Sequence, residues 1–293
     1  MIQLKQILAL LLLAVMVLSA FGCAQYQTDV QIAATTLPVY DLTRYLCEDT
    51  GLKIARIITD EISCLHNYSL SVRQVKTTEQ AETIVISGGG LEDFMQDLLA
   101  QQGCVIDASA GLDINHDEHA EEHGHDHDGC DPHFWLSPTH AKHMAENICN
   151  GLIAQYPEHE ETFHRNLAVL LQKLDQLLDY GNQQLNDLSC RKLITFHNGF
   201  FYFAEAFDLT IIKSMEEESG SEASASELKE LIQLQQQHEL PAVFIEQNGS
   251  VSAANILRAE TGVKIYKLDM AISGEDYLAA MYRNIDTIKE ALG

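Results

Sequence analysis

Three histidines and one aspartate stand where this sequence could gather a metal ion. His197 follows an apolar run at residues 193–196 directly, and Asp269 follows another at 263–268. His66 comes after the strand-turn stretch ending Ile58-Thr59-Asp60-Glu61, and His133 sits in Asp131-Pro132-His133-Phe134-Trp135. In open α/β sheets, ligands collect beyond the carboxyl ends of the strands. Three neutral imidazoles and a carboxylate suit zinc in a tetrahedral or slightly expanded geometry, whereas manganese prefers oxygen donors. Taken singly, each histidine is more often a hydrogen-bonded surface or core residue. Asp269 has its own plainer use, as the cap of a turn after a strand.

A second set is of another kind. Residues 113–128 are almost entirely Asp, Glu and His, and contain His116, His119, His123, His125 and His127. Such a segment cannot bury apolar surface. It reads as a mobile loop that binds borderline cations weakly in many arrangements, or else as a solvated acidic spacer. His140 and His143 share a helix face after Pro138, which surface exposure explains. Gly88-Gly89-Gly90 lacks the lysine of a phosphate-binding loop and reads as a tight turn, and the sequence holds no GxSxG or HExxH.

The elements that must hold these residues alternate in type. Residues 30–34, 53–57, 83–87 and 104–107 read as buried strands, and the pattern returns at 193–196, 210–212, 242–245 and 263–268. Helical spacing marks 91–102, 228–237 and 277–292. The expectation is an α/β protein of two lobes, each a parallel sheet flanked by helices. An apolar stripe at residues 158–188 makes one long rigid helix of roughly 45 Å joining them. The expected division is a signal peptide at 1–22, an N-terminal lobe at 24–156, the linking helix at 157–189 and a C-terminal lobe at 190–293.

The first residues set the compartment. Lys5, an apolar run and Ser19-Ala20-Phe21-Gly22 lead into Cys23, which is the pattern of an export signal with Cys23 as the lipidated first residue. The other cysteines, Cys47, Cys64, Cys104, Cys130, Cys149 and Cys190, are scattered and do not form a disulfide scaffold. A formal charge of −25 argues against nucleic acid and anionic membrane surfaces as partners.

Asp131-Pro132-His133-Phe134-Trp135-Leu136-Ser137-Pro138 closely resembles the second-ligand motif of the ZnuA/TroA-like family, the substrate-binding proteins of zinc- and manganese-uptake ABC transporters. The stretches at residues 90–94, 195–200, 244–246 and 268–269, followed by Tyr277-Leu278, are similar to that family too. The resemblance implies a non-enzymatic protein, expected to be a monomer, that captures zinc with His66, His133, His197 and Asp269 and delivers it to a membrane permease. Cys64-Leu65-His66-Asn67-Tyr68 departs from the family's usual Asp-Pro-His-x-Tyr. The other readings are a manganese- or iron-binding member of the class, a secreted zinc hydrolase, and an adhesin whose metal is incidental. Water or Glu61 in place of Asp269 also stays open.

Overall fold

The computed structural model describes residues 30–62, 65, 68–114, 131–215 and 224–293. The signal segment, Cys23, Cys64, Cys130, His66 and the five histidines of the acidic segment lie outside these residues. Among the described residues, no helix is long and apolar enough to cross a membrane.

Two four-stranded parallel sheets carry the fold. The first contains β1 (Ile32–Ala34), β2 (Ile54–Arg56), β3 (Thr83–Ile86) and β4 (Val105–Asp107) in the order β2-β1-β3-β4. The second contains β5 (Lys192–Thr195), β6 (Thr210–Ser214), β7 (Ala242–Glu246) and β8 (Lys264–Leu268), in the order β6-β5-β7-β8. The two orders are the same. In each, the chain leaves its first strand for one neighbour and then crosses to the other side. That reversal opens a crevice at the strands' carboxyl ends.

Helices cover the sheets. α1 (Leu37–Leu46) and α2 (Val72–Gln80) lie between strands of the first sheet. A 3₁₀ turn at Asp93–Met95 and the single turn α3 (Gln96–Leu99) replace the helix expected over 91–102. The Glu92 side chain explains the difference. It folds back to accept hydrogen bonds from the backbone of Ser87 and Gly88 (2.8 and 2.9 Å) and from the Thr35 hydroxyl at 2.6 Å. Gly88, Gly89 and Gly90 all have positive φ, so the tight turn expected there is present.

α4 (Pro138–Gln155) and α5 (Glu160–Gln184) pack against each other between the two halves. α5 is shorter than the span 158–188. Pro157–His159 forms a 3₁₀ turn before it, and the helix gives way at Leu185. At about 1.5 Å per residue, its 25 residues give a rod of about 38 Å. The second half adds α6 (Phe201–Ala206), α7 (Ala225–His238), α8 (Ser252–Thr261) and α9 (Tyr277–Leu292).

One apolar core runs through both halves, from Ile32 and Trp135 through Leu174 to Phe203 and Ile285. A smaller one fills the outer face of the second sheet around Leu231, Val243 and Leu257. Buried polar bonds also cross between the halves. The Trp135 indole donates to the Met270 carbonyl (2.8 Å), and the Tyr277 hydroxyl donates to the Trp135 carbonyl (2.5 Å).

Candidate metal centre

His197 and Glu246 flank the reversal point of the second sheet. β5 ends at Thr195, which pairs with Phe244 of β7, so the chain just beyond β5 runs alongside the end of β7. The Glu246 carboxylate, in a residue only 5% exposed, lies 2.7 Å from His197 Nδ1.

His133 is placed by a turn rather than a strand. The Asp131 carboxylate accepts from the His133 backbone N–H at 2.9 Å and meets its ring Nδ1 at 2.7 Å. Pro132 fixes the backbone between them. Behind it, Phe134, Trp135 and Leu136 are fully buried, and this anchors the ring.

The two imidazoles converge. Their Nε2 atoms are 3.4 Å apart and the rings stand nearly perpendicular, at 85°. A carboxylate can only accept from a ring N–H, so the bond from His133 Nδ1 to Asp131 leaves a lone pair on His133 Nε2, while Glu246 Oε1 lies at ion-pair distance from His197 Nδ1 without hydrogen-bond alignment. With His197 in the same tautomer as His133, two lone pairs face each other, and a cation between them would relieve their repulsion. With Zn–N bonds of about 2.05 Å, a tetrahedral angle separates two nitrogens by about 3.3 Å. A right angle at the same bond length would bring them to about 2.9 Å. The observed spacing fits the tetrahedral case.

Asp269 follows β8 directly. Its backbone is fixed by Asn284, which accepts from the Asp269 N–H (2.8 Å) and donates to its carbonyl (2.7 Å). Its Oδ1 accepts from the Ala271 N–H at 2.8 Å, so the turn-capping use is realised. Its Oδ2 meets the Arg283 guanidinium at 3.0 Å. Asp269 also lines a small cavity with Glu246, Ile62, Met270 and Ser273.

Among the described residues, no three His, Cys, Asp or Glu side chains stand close enough together to hold a metal. The structure brings His133 and His197 together, while Asp269 shares a small cavity with Glu246, the residue that faces His197. Glu61 is exposed. Nothing in the sequence reading assigned a role to Asp131 or Glu246. The acid two residues before His133 and the acid ending an otherwise apolar strand were the available signals.

Gly199 fits closely against the site. A Cβ there would lie 2.7 Å from His197 Cδ2 and 3.0 Å from His133 Nδ1. His140 is half-buried rather than a plain surface residue, with its ring edge-on to Tyr202 at 5.0 Å. Burial lowers its pKa, while His143 on the same helix face is exposed.

The family profile described as "Zinc-uptake complex component A periplasmic", ZnuA, matches residues 32–291. The chain belongs to this family. Family members are binding components of metal uptake, not enzymes.

The zinc-binding lipoprotein AdcA of Streptococcus pneumoniae (strain ATCC BAA-255 / R6) is 28% identical over 305 residues, covering 97% of this chain. The chain spans 60% of that relative's length. The manganese ABC transporter substrate-binding lipoprotein PsaA of Streptococcus anginosus is 26% identical, over 98% of this chain and 99% of that protein. A ZnuA crystal structure superposes with a TM-score of 0.77 at 27% identity, covering 90% of this chain and all (100%) of the other. The Zn(II)-bound ZnuA-like domain of S. pneumoniae AdcA gives 0.75 at 27%, covering 90% and 99%.

Proposed function

We propose that this protein captures zinc outside the cytoplasm and delivers it to an ABC-type membrane permease. His133 and His197 hold the ion between the halves, Asp269 supplies the balancing charge and His66 completes the set. A lipid on Cys23 keeps the protein at the membrane, and residues 24–156 and 190–293 act as the two lobes of one clamp. The observation that carries this reading is the 3.4 Å approach of two Nε2 atoms, each on a ring whose Nδ1 lies 2.7 Å from a carboxylate. Two charge-neutral imidazoles at tetrahedral spacing favour zinc over manganese. The relatives named as zinc-binding support it, and the Zn(II)-bound AdcA domain shares the fold.

Manganese is the second reading, because a relative named for manganese matches along its whole length. Competitive titration of the purified protein with both metals tests the choice. Zinc should win by orders of magnitude, and equal or tighter manganese binding sinks the zinc assignment. Deleting residues 113–128 should leave one tight zinc site and remove weaker binding. Loss of the tight site on that deletion would instead put primary ligands in the acidic segment.

A further inference from the structure

We propose that Glu246 is the residue that makes His197 a metal ligand, by holding its ring in the tautomer that leaves Nε2 bare and aimed at His133. The inference rests on the cleft reading above and adds a positioning residue to it.

A free neutral imidazole favours the tautomer with its proton on Nε2. That proton would sit where the metal must bind. To expose Nε2, something must accept the proton at Nδ1, and the Glu246 carboxylate, 2.7 Å away, is near enough to do so after a small turn of the ring into line. The same contact makes the ring a stronger donor, because a carboxylate behind an imidazole raises its basicity.

Glu246 is built for this on a rigid element. It is the last residue of β7, a strand buried along its whole length, and it pairs with Leu268 of β8. Burying a carboxylate is costly without a partner that uses the charge. His197 stands beyond the end of β5 with its side chain 17% exposed, so its own strand does not set the ring's rotation. Asp131 holds His133 in the same way, but from within the same turn. Replacing Asp131 would disturb that turn. Glu246 reaches His197 from a different strand, so its substitution tests orientation without unmaking the loop.

The experiment uses the mature protein as wild type, Glu246→Gln and Glu246→Ala, each shown folded by circular dichroism. Imidazole ¹⁵N NMR of the metal-free proteins reads the tautomer, and chelator competition reads zinc Kd. Wild type should show His197 protonated at Nδ1. Glu246→Ala should move the proton to Nε2 and weaken zinc by about 10–100-fold, the usual loss for a residue supporting a metal ligand. Glu246→Gln keeps a side-chain oxygen at Nδ1, so it should retain the tautomer and most of the affinity. An Ala variant with an unchanged tautomer or unchanged Kd overturns the proposal, as does a Gln variant that falls as far as Ala. Zinc that leaves the wild-type His133 and His197 signals unmoved overturns the cleft reading itself and this role with it. That failure appears in wild type, so the two are told apart.

Discussion

Replacing Asp269 by asparagine separates two uses that the native side chain combines. Asn keeps an oxygen to accept from the Ala271 N–H, but it carries no charge. Its only stability loss is the contact with Arg283, whose side chain is 61% exposed, and such surface pairs contribute about 0–1 kcal/mol. Asp269→Ala also orphans the Ala271 N–H, in a residue that is fully buried, and an unmade buried bond costs about 1–3 kcal/mol. On stability alone, Ala should therefore be worse than Asn.

Zinc affinity should sort them differently. On the proposed ligand set, three neutral imidazoles would leave the dication's charge uncompensated, so either variant should weaken zinc more than tenfold, or about 1.4 kcal/mol. Because stabilisation follows the ratio of free zinc to Kd, the thermal gain from saturating zinc should fall by about the same amount. Arg283→Ala should leave zinc unchanged or tighten it, since Arg283 occupies the oxygen that the metal would take. Chelator competition and thermal unfolding with and without zinc decide the matter. A folded Asp269→Asn protein with wild-type affinity would reduce Asp269 to a turn cap, and water or Glu61 would complete the site.

Three further expectations follow from contacts around the cleft. Gly199→Ala should weaken zinc more than it lowers stability, because its Cβ would press on His197 and His133; an unchanged Kd would show that the loop yields freely. Tyr277→Phe should cost about 1–3 kcal/mol in urea unfolding by leaving the buried Trp135 carbonyl without its donor, and a loss under 0.5 kcal/mol would mean the bond is replaced. Burial pushes the Glu92 carboxyl up to about 7 from an ordinary 4.5, against hydrogen bonds from Thr35, Gly88 and Ser87 that pull it down. The folded state then holds that proton more tightly, so its contribution is full below pH 4.5 and is lost as pH rises through about 7. Wild type should therefore lose stability relative to Glu92→Gln across that window; a relative gain would reverse the assignment.

The two sheets were readable because eight short apolar runs recur in matching order, and buried parallel strands need no alternation to be recognised. Helices were less legible where local contacts override spacing. Leu91, Met95, Leu98 and Leu99 fit a helix, yet Glu92 is captured by the end of β3, and Met95 at φ −122° interrupts the helical backbone. α2, by contrast, is polar apart from two valines, and its start depends on a capping box between Ser71 and Gln74. At the site, His197 and Asp269 could be picked out because each follows a strand. Glu246 could not be assigned in the same way. Its partner lies far along the chain, and only the pairing of β5 with β7 brings the two strand ends together.

That pairing fixes the relation within one half; the relation between halves rests on the segment after Asp269. Trp135, two residues beyond His133, donates to Met270, one residue beyond Asp269. Tyr277 returns a bond to Trp135, and its N–H is held by Asp41 of α1 at 2.8 Å. Leu37 N–H donates to the Ile272 carbonyl at 3.2 Å, and the Arg56 guanidinium donates to the Gly274 carbonyl at 2.6 Å. Residues 270–277 thus belong to the second half by sequence and to the first by contact. A wide rotation of the halves would have to break these bonds together, several of them out of water, where an unmade bond is most costly. The loops bearing His133 and Asp269 are therefore coupled before any ion arrives. The contact that would have to open for Asp269 to reach an ion is its exposed pair with Arg283. On the proposed reading, metal would then enter by exchange of side-chain partners and not by a wide rotation of the halves.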